Sequence, residues 1–505
     1  MSPEGRAGRG PAGEEEVARL PVTNLLDIDA DSPVPLYRQL RQALECQIVS
    51  GTFDPGLPLP SSRELARELG VSRNTVNAAY EEFLAEGMVV AHPRRGLFIN
   101  PDLVAGSGER GLVDEVAIDW SRHLVAPLDA ALPEITKARD WMDHPYPFVA
   151  GQVNPADFPR LAWARSLRQA LDPPHLHFSL RDSVDEDDPF LLEMLCRKVL
   201  PSRGIDVTPE HVLITSGSQH GLDLLAATMI RPGDAVGVED PGYTDARHRF
   251  AVAGAHLVPF PVDEDGIVPD RGLDGLRLLH VTPSHHSPTN VTLSGERRQR
   301  LIALADESDT LIVEDDYDAE FRYHGKPTPA LKARPQSGRV IYLGSFTKFF
   351  APGLRLGYLV AEPDLIAELR RRRRYLVRHV SGHQQRGMAL LLEAGQYQRT
   401  IRRRRSRLSR KWTELTTALA EELPSFAGAP PGGVSIWVRG PEGLDCSELA
   451  DLVLEDGVVI ERGDVFFFDP VANAHHFRLG FAAIEEEAIR PGVRLLSAGI
   501  RELTR

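Results

Sequence analysis

The sequence predicts an α/β chain with a mostly parallel sheet, preceded by a small helical unit that ends in a hairpin. Three observations predict it. From about residue 146 onward, short apolar runs alternate with longer amphipathic segments, the pattern of a parallel sheet covered by helices on both faces. Between residues 33 and 100, three helical periodicities are followed by two short strand-like runs. At 505 residues the chain exceeds one ordinary core, and with 42% hydrophobic and 26% charged residues it can pack more than one.

Residues 1–32 are rich in Gly, Pro and acids without a sustained period, which predicts a disordered tail. Leu36, Leu40, Leu44 and Ile48 then repeat at helical spacing, and Gly51 ends the run. Ser61-Ser62-Arg63-Glu64 reads as a capping box opening a second helix, with Leu65 and Leu69 inward and Gly70 as its stop. Ser72 caps a third helix whose buried stripe is Val76, Tyr80, Phe83 and Leu84, closed by Gly87. Val89-Val90 and Leu97-Phe98-Ile99 flank His92-Pro93-Arg94-Arg95-Gly96 as two strands around a tip. Two helices joined by a short turn and followed by a hairpin make a winged helix-turn-helix.

The first turn of the third helix presents Arg73, Asn74, Thr75 and Asn77 away from the stripe. Arg and Asn read guanine and adenine edges with two hydrogen bonds each. The helix start and Arg63 suit phosphates, and Arg94 and Arg95 at the wing tip suit a phosphate or the minor groove. A three-helix protein-interaction module is the competing reading, because arginines and acids balance within the unit. The acids Glu81, Glu82 and Glu86 lie toward the far end of the third helix, which favours DNA. The formal charge of −14 argues against general coating of nucleic acid but leaves room for a local DNA-reading surface.

Residues 101–145 are weakly patterned and read as a linker, with short helices within 115–140. Beyond them, His211–Thr215, Ala235–Glu239, Leu278–Val281, Leu311–Glu314 and Val340–Leu343 are the apolar runs, each leading into a polar loop. Ligands of such sheets collect at the carboxyl ends of the strands. No apolar run approaches membrane-spanning length, and the N-terminus lacks the apolar core of a signal peptide. Cys46, Cys196 and Cys446 are far apart, which excludes a disulfide framework and a thiolate zinc site and fits a reducing cytoplasm.

The loop after the last run holds Ser345, Thr347 and Lys348, with Arg355 shortly downstream. A lysine can lose its proton when partly desolvated and attack a carbonyl, whereas arginine stays charged. A Lys among hydroxyls with an Arg close by suits a cofactor carrying both an aldehyde and a phosphate, which is pyridoxal 5′-phosphate (PLP). An isolated Ser-x-x-Lys would be an ordinary loop lysine. Here the other loops add to it. Ser216-Gly217-Ser218-Gln219 opens a helix with free amides and hydroxyls. Asp240-Pro241-Gly242-Tyr243 offers an aromatic plane, and Glu314-Asp315-Asp316-Tyr317 offers an acid for a pyridine nitrogen. His285 and His286 are adjacent, so their rings diverge, and no metal is expected.

The stretches Pro60-Ser61-Ser62-Arg63-Glu64-Leu65-Ala66, Val71-Ser72-Arg73-Asn74-Thr75-Val76 and Arg95-Gly96-Leu97-Phe98-Ile99 resemble the DNA-binding domain of GntR-type bacterial regulators. The loops from Ser218 to Arg355 resemble, in order and spacing, fold-type I aminotransferases. The chain from about residue 33 thus resembles MocR/GabR-type regulators, a winged helix-turn-helix fused to an aminotransferase-like domain. The resemblance implies a Schiff base at Lys348, Asp315 facing the pyridine nitrogen, Tyr317 at the ring hydroxyl and Tyr243 stacked on the ring. Ser218, Gln219, Ser345, Thr347 and Arg355 would surround the phosphate. Arg478, in Phe477-Arg478-Leu479-Gly480-Phe481, would take an effector carboxylate.

Two departures stand out. Ser287-Pro288-Thr289-Asn290 replaces the usual Asn-Pro-Thr-Gly, so the Asn partner of the ring hydroxyl is missing. The segment Arg181 to Leu192 lacks the Tyr and Gly-rich turn expected there. The arginine runs 370–374 and 402–410 read first as helix faces that are solvated or paired with the excess acid, and second as a supplementary DNA contact. The expected organisation is a tail over 1–32, a winged helix-turn-helix over 33–100, a linker over 101–145 and a PLP-binding sensor domain over 146–505. The expected function is a cytoplasmic, homodimeric, PLP-dependent regulator of operator DNA, responsive to an amino-acid or amine effector or to PLP itself, and more a sensor than an enzyme. A working aminotransferase with a fused DNA module is the alternative. A PLP-free domain kept for dimerisation is disfavoured by Lys348, Asp315 and Arg355 together.

Overall fold

The computed structural model describes residues 29, 32, 34–50, 52–104, 119, 122–123, 133–136, 138–270, 272–318, 320–324, 328–333, 337–346 and 350–505. Gly51, Thr347 and Lys348 lie outside the described residues, as do most of the tail 1–32 and of 115–140. The chain divides into two compact units, Met1–His123 and Leu124–Arg505. The division falls within the segment 101–145.

The smaller unit contains helices α1 (Leu36–Val49), α2 (Ser62–Leu69) and α3 (Arg73–Ala85), then strands β1 (Val89–His92) and β2 (Gly96–Ile99). Both α2 and α3 are side-chain capped at their starts. Ser61 accepts the backbone N–H of Glu64, and Ser72 accepts that of Thr75. Gly70 ends α2 in the left-handed region at φ 66°, where a Cβ would be strained. Leu40, Leu44, Leu65, Val76, Phe83 and Ile99 meet in one core. The stripe on α3 differs from the expected one at its end. Leu84 is exposed, and Ala79, one turn before Phe83, takes its place against the core. The 3.6-residue period carries position 84 past the edge of the buried face. The strands pair antiparallel from Val89↔Ile99 to His92↔Gly96, which makes the wing.

In the larger unit β3 (Tyr146–Pro147) pairs with a later strand, and an eight-stranded sheet follows. Its strands are β4 (Val212–Thr215), β5 (Ala235–Asp240), β6 (His256–Asp263), β7 (Gly266–Ile267), β8 (Leu276–Val281), β9 (Leu311–Asp316), β10 (Val340–Ser345) and β11 (Gly357–Val360). The order is β4-β11-β10-β9-β8-β5-β6-β7. Neighbours from β10 to β6 run parallel, whereas β11 is antiparallel to both β4 and β10. The carboxyl ends of β4, β5, β8, β9 and β10 therefore open on one side. β6, β7 and β11 are additions to the expected set. β6 carries Pro259 and Pro261, which remove ladder donors and mask a strand in sequence; it is tolerated next to the short edge strand β7.

A second, three-stranded sheet has the order β12-β15-β14, built from β12 (Ser435–Arg439), β14 (Glu461–Arg462) and β15 (His476–Gly480). The short strand β13 (Val458–Val459) pairs with β3, bringing residues 146–150 beside this sheet. The arginine runs are largely paired within the chain. Arg370 and Arg373 both reach the buried Asp187, and Arg374 reaches Asp185. Arg404 is buried against the Phe321 ring, and Arg410 pairs with Glu486. The segment that departs from the aminotransferase pattern thus supplies acids: Asp187 for Arg373, and Asp188 for Arg386 at 2.7 Å. Among the described residues, no helix is long and apolar enough to cross a membrane.

Candidate functional site: a cavity at the strand ends and a DNA-reading helix

The carboxyl ends of the parallel strands lead into one cavity of about 330 Å³. Ser218, Gln219, Tyr243, Asp315, Tyr317 and Ser345 line it, together with Arg355 and Arg478. These are the sequence-selected residues of this unit, apart from Thr347 and Lys348 outside the described residues. They come from strand ends, a helix start and loops spread over more than half of the larger unit.

The loop after β4 is shaped for an anion. Gly217 holds φ at 87°, and the helix Ser218–Met229 starts there without a side-chain cap among the described residues, which leaves its first amides open toward the cavity. Arg355, itself in the left-handed region at φ 47°, lays its guanidinium over Gly217, and its Nη2 donates to Ser216 O at 3.1 Å. A Cβ on Gly217 would lie 3.0 Å from that Nη2 and push the guanidinium aside by a few tenths of an ångström, and the positive φ strains any side chain there. Ser345 ends β10 at the same cavity, buried.

On the floor, Asp315 is buried at the end of β9. Its Oδ1 has no hydrogen-bond partner among the described residues, and its Oδ2 lies 3.7 Å from His280 Nε2. A buried acceptor left open is costly unless a ligand completes it. Behind it, Glu239 Oε2 accepts both the backbone N–H of Thr282, at 3.1 Å, and its hydroxyl, at 2.7 Å. Burial pushes Glu239 up to about 7 against those bonds and pushes the neighbouring His286 down to about 3. The rings of His285 and His286 diverge: the first meets Asp318 at 2.8 Å, the second the Thr289 hydroxyl at 2.7 Å. Among the described residues, no group of three or more His, Cys, Asp or Glu could hold a metal ion.

Tyr243 follows Gly242 after β5, and its hydroxyl donates to Asp245 Oδ2 at 2.9 Å. Gln219 bonds the same carboxylate. Burial holds the hydroxyls of Tyr243 and Tyr317 well above the ordinary phenol range, so both stay protonated donors. Arg478, on β15, faces Glu461 across the small sheet. Its Nε donates to Glu461 Oε2 at 2.8 Å, so one edge of the guanidinium is engaged.

Sequence reasoning missed several contributors. Asp245 lies two residues past Tyr243, in the first turn of the helix Thr244–Val252, where an acid reads as an ordinary helix-start residue. Ile135 belongs to the expected linker, yet it lines the cavity, and the neighbouring Pro133 carbonyl meets His248 Nε2 at 3.1 Å. Gln152 and Ser435 also line it, without any motif to mark them. Together the described residues offer an open buried carboxylate oxygen and a free helix start beside an arginine. These are partners for a protonated aromatic nitrogen and for a phosphate.

In the smaller unit, Arg63, Arg73 and Asn74 are exposed, while Thr75 and Asn77 are half-buried. Arg73 Nε donates to Ser62 Oγ at 3.3 Å, tying the third helix to the start of the second. Thr75 is partly engaged, its hydroxyl 2.8 Å from that of Ser72. Arg94 sits at the wing tip at φ 65°, and Arg95 packs its guanidinium 5.4 Å from the Phe98 ring centre. At the other end of α3, Glu82 and Glu86 are both held by Arg41. Basic and polar groups thus gather at the helix start, and these two acids at its far end are internally paired.

Residues 36–99 match the gntR family of bacterial regulatory proteins, and residues 163–496 match aminotransferase class I and II. The HTH-type transcriptional regulator TauR of Rhodobacter capsulatus is 39% identical over 469 residues, covering 92% of this chain and 96% of that protein. The probable rhizopine catabolism regulatory protein MocR of Rhizobium meliloti is 30% identical over 507 residues, covering 95% and 96%. Among solved structures, kynurenine aminotransferase of Pyrococcus horikoshii, in complex with PMP, superposes with a TM-score of 0.69 at 26% identity, covering 78% of this chain and 99% of that one.

Proposed function

Because the chain belongs to the HTH-type transcriptional regulators that join a gntR-family DNA-binding domain to a class I and II aminotransferase domain, we propose that it reads operator DNA under the control of PLP and a small effector. The observation that carries this reading is the meeting, in one cavity, of a buried Asp315 oxygen left open among the described residues with the Arg355-covered start of helix Ser218–Met229.

PLP supplies, when bound, a carbonyl with which amines condense and a ring that draws electrons. Arg355, Ser218, Ser345 and Thr347 would hold its phosphate, and Gln219 would border it. Asp315 would accept a hydrogen bond from the pyridinium N–H through the oxygen that has no partner among the described residues, keeping that nitrogen protonated. Tyr317 would donate to the ring hydroxyl, and Tyr243 would cover the ring face. Lys348 would hold the aldehyde carbon. Arg478 would bind the effector's anionic group. On the smaller unit, Arg73, Asn74, Thr75 and Asn77 would meet base edges, with Arg63, Arg94 and Arg95 on phosphates. A homodimer reads a two-fold operator by the spacing of its winged helices, so an effector that repacks the larger units changes DNA affinity. The organisation is a winged helix-turn-helix over 33–100, a linker over 101–145 and a sensor over 146–505, in the cytoplasm.

A ligand shifts a conformational equilibrium only through unequal affinity for its states, and the coupling is reciprocal. PLP titrated with and without operator DNA, and then candidate amines, should therefore give different affinities in the two series. Borohydride reduction and peptide mapping should place the adduct on Lys348. Identical affinities together with fast multiple-turnover transamination would mean an enzyme with a DNA-binding appendage. No adduct at saturating PLP would remove the sensor reading altogether.

A further inference from the structure

Arg478 offers the cavity less than a free guanidinium would. Its Nε donates to Glu461 Oε2 at 2.8 Å, and its Nη2 bonds the same oxygen. The Phe466 ring centre lies 4.6 Å from its guanidinium carbon. Glu461 is itself anchored: it is buried, it sits opposite Arg478 in the antiparallel register, and its Oε1 accepts the backbone N–H of Ala150 at 3.1 Å. Ala150 lines the cavity. Glu461 therefore cannot turn away without unmaking a backbone hydrogen bond in the cavity wall.

Two consequences follow. The side-on edge of Arg478, formed by Nε and Nη2, is filled, so an incoming anion must meet the guanidinium end-on. The buried pair also carries little net charge, so an anion gains hydrogen bonds there with little Coulombic attraction. Asp245 and Asp315 line the same cavity, and Arg355 is the one other cation among its described lining residues. With Arg355 on the phosphate and Lys348 on the aldehyde carbon, as proposed above, a second negative charge on a ligand finds no cationic partner among the described lining residues, and like charge is penalised.

We propose that Glu461 is a positioning residue that sets the charge class of the ligand. With Glu461 in place and PLP bound, the pocket takes an effector that is neutral overall and carries one anionic group, a zwitterionic amino acid, and rejects dianionic effectors. The inference rests on the cavity being the effector site, as proposed above. The test is calorimetric titration of the full-length protein, saturated with PLP, with β-alanine, a zwitterion, and maleate, a dianion. The wild-type protein should bind β-alanine at least about tenfold more tightly than maleate. Glu461→Gln removes the charge and keeps the shape, but its single carbonyl oxygen can accept from Ala150 or from Arg478 and not from both. It should tighten maleate about tenfold and change β-alanine less than about threefold. A purely structural role predicts equal changes for both probes; that result, or a wild-type preference for maleate, overturns the inference. Arg478→Gln separates the two levels. If β-alanine binds it undiminished, the effector-site reading falls, and no binding of either probe to any protein also removes it. If Arg478→Gln abolishes binding but Glu461→Gln leaves the ratio of the probes unchanged, only the role of Glu461 falls. Should Glu461→Gln not fold, the wild-type ratio decides.

Discussion

The surface on the small unit and the cavity in the large one are built in opposite ways. Arg73, Asn74, Thr75 and Asn77 are consecutive or nearly so, sit at the start of one helix, and include two exposed side chains. The cavity draws Ser218, Tyr243, Asp315, Ser345 and Arg478 from separate strands and loops, and Asp315 and Ser345 are buried. The first surface is a local feature carried by a simple scaffold of two serine caps. The second exists only once the sheet has assembled, and it holds a buried polar atom with no partner among the described residues, whose desolvation opposes folding. Substitutions on the first should therefore change binding and leave stability alone, whereas those in the second should move both.

The strongest expected effect lies in the frame of the cavity unit. Arg373 and Asp187 are fully buried and bonded at 2.6 Å. Arg373→Ala leaves Asp187 with the half-buried Arg370 as its charged partner among the described residues, and removal of one partner of a buried pair costs about 3–5 kcal/mol. Thermal unfolding should show the loss. The exposed Arg372→Ala in the same run should stay within about 0.5 kcal/mol of wild type. Equal effects of the two would mean that the arginine run is a solvated face throughout.

Asp315→Asn comes next and should move function and stability in opposite directions. Loss of a charge-assisted hydrogen bond should weaken PLP by about 1.5–3 kcal/mol, measured by absorbance titration. The cofactor-free protein should gain stability, because a buried carboxylate with an open Oδ1 is replaced by a neutral group. A cofactor-free variant less stable than wild type would show that the carboxylate serves the fold first.

These contrasts track what was legible in the sequence. The winged unit was legible almost entirely, because caps, left-handed glycines and a 3.6-residue stripe are local signals; Leu84 failed only because it sits at the edge of the stripe. The strands β4, β5, β8, β9 and β10 were legible as apolar runs, and their loops as polar clusters. β6 was hidden by Pro259 and Pro261, and β11 by its position directly behind the loop of Arg355. Glu461 left no trace, since its meeting with Arg478 depends on the antiparallel register of β14 and β15, which no single segment encodes. Ile135 was hidden for a related reason. A weakly patterned segment announces no element, yet a single side chain from it lines the cavity.

On the exposed surface the effects should be smaller and purely functional. Arg73→Ala should cost about 1–3 kcal/mol of specific operator affinity if the side chain reads a guanine. Its side-chain hydrogen bond to Ser62 Oγ, at 3.3 Å, is long and exposed, so melting should be unchanged within about 0.5 kcal/mol. Unchanged operator affinity would mean that α3 is not the reading helix.

The wing should give the smallest effect and the cleanest distinction between positioning and reading. Arg94 and Arg95 lie at the tip between β1 and β2, and both are exposed. Their charges are therefore available to neutralise phosphates and release counterions. Each phosphate left without its arginine should lower the slope of log affinity against log salt by about 0.9. Arg94→Ala should reduce affinity for operator and random duplex alike, leaving their ratio unchanged, since binding to phosphates carries no sequence information. Arg95→Ala should do the same with a small added loss of stability, because Arg95 packs against the Phe98 ring. The measurement is operator and random-duplex binding across a salt series. A change in the operator-to-random ratio with an unchanged salt slope would place these arginines at base edges and make the wing a second reading element.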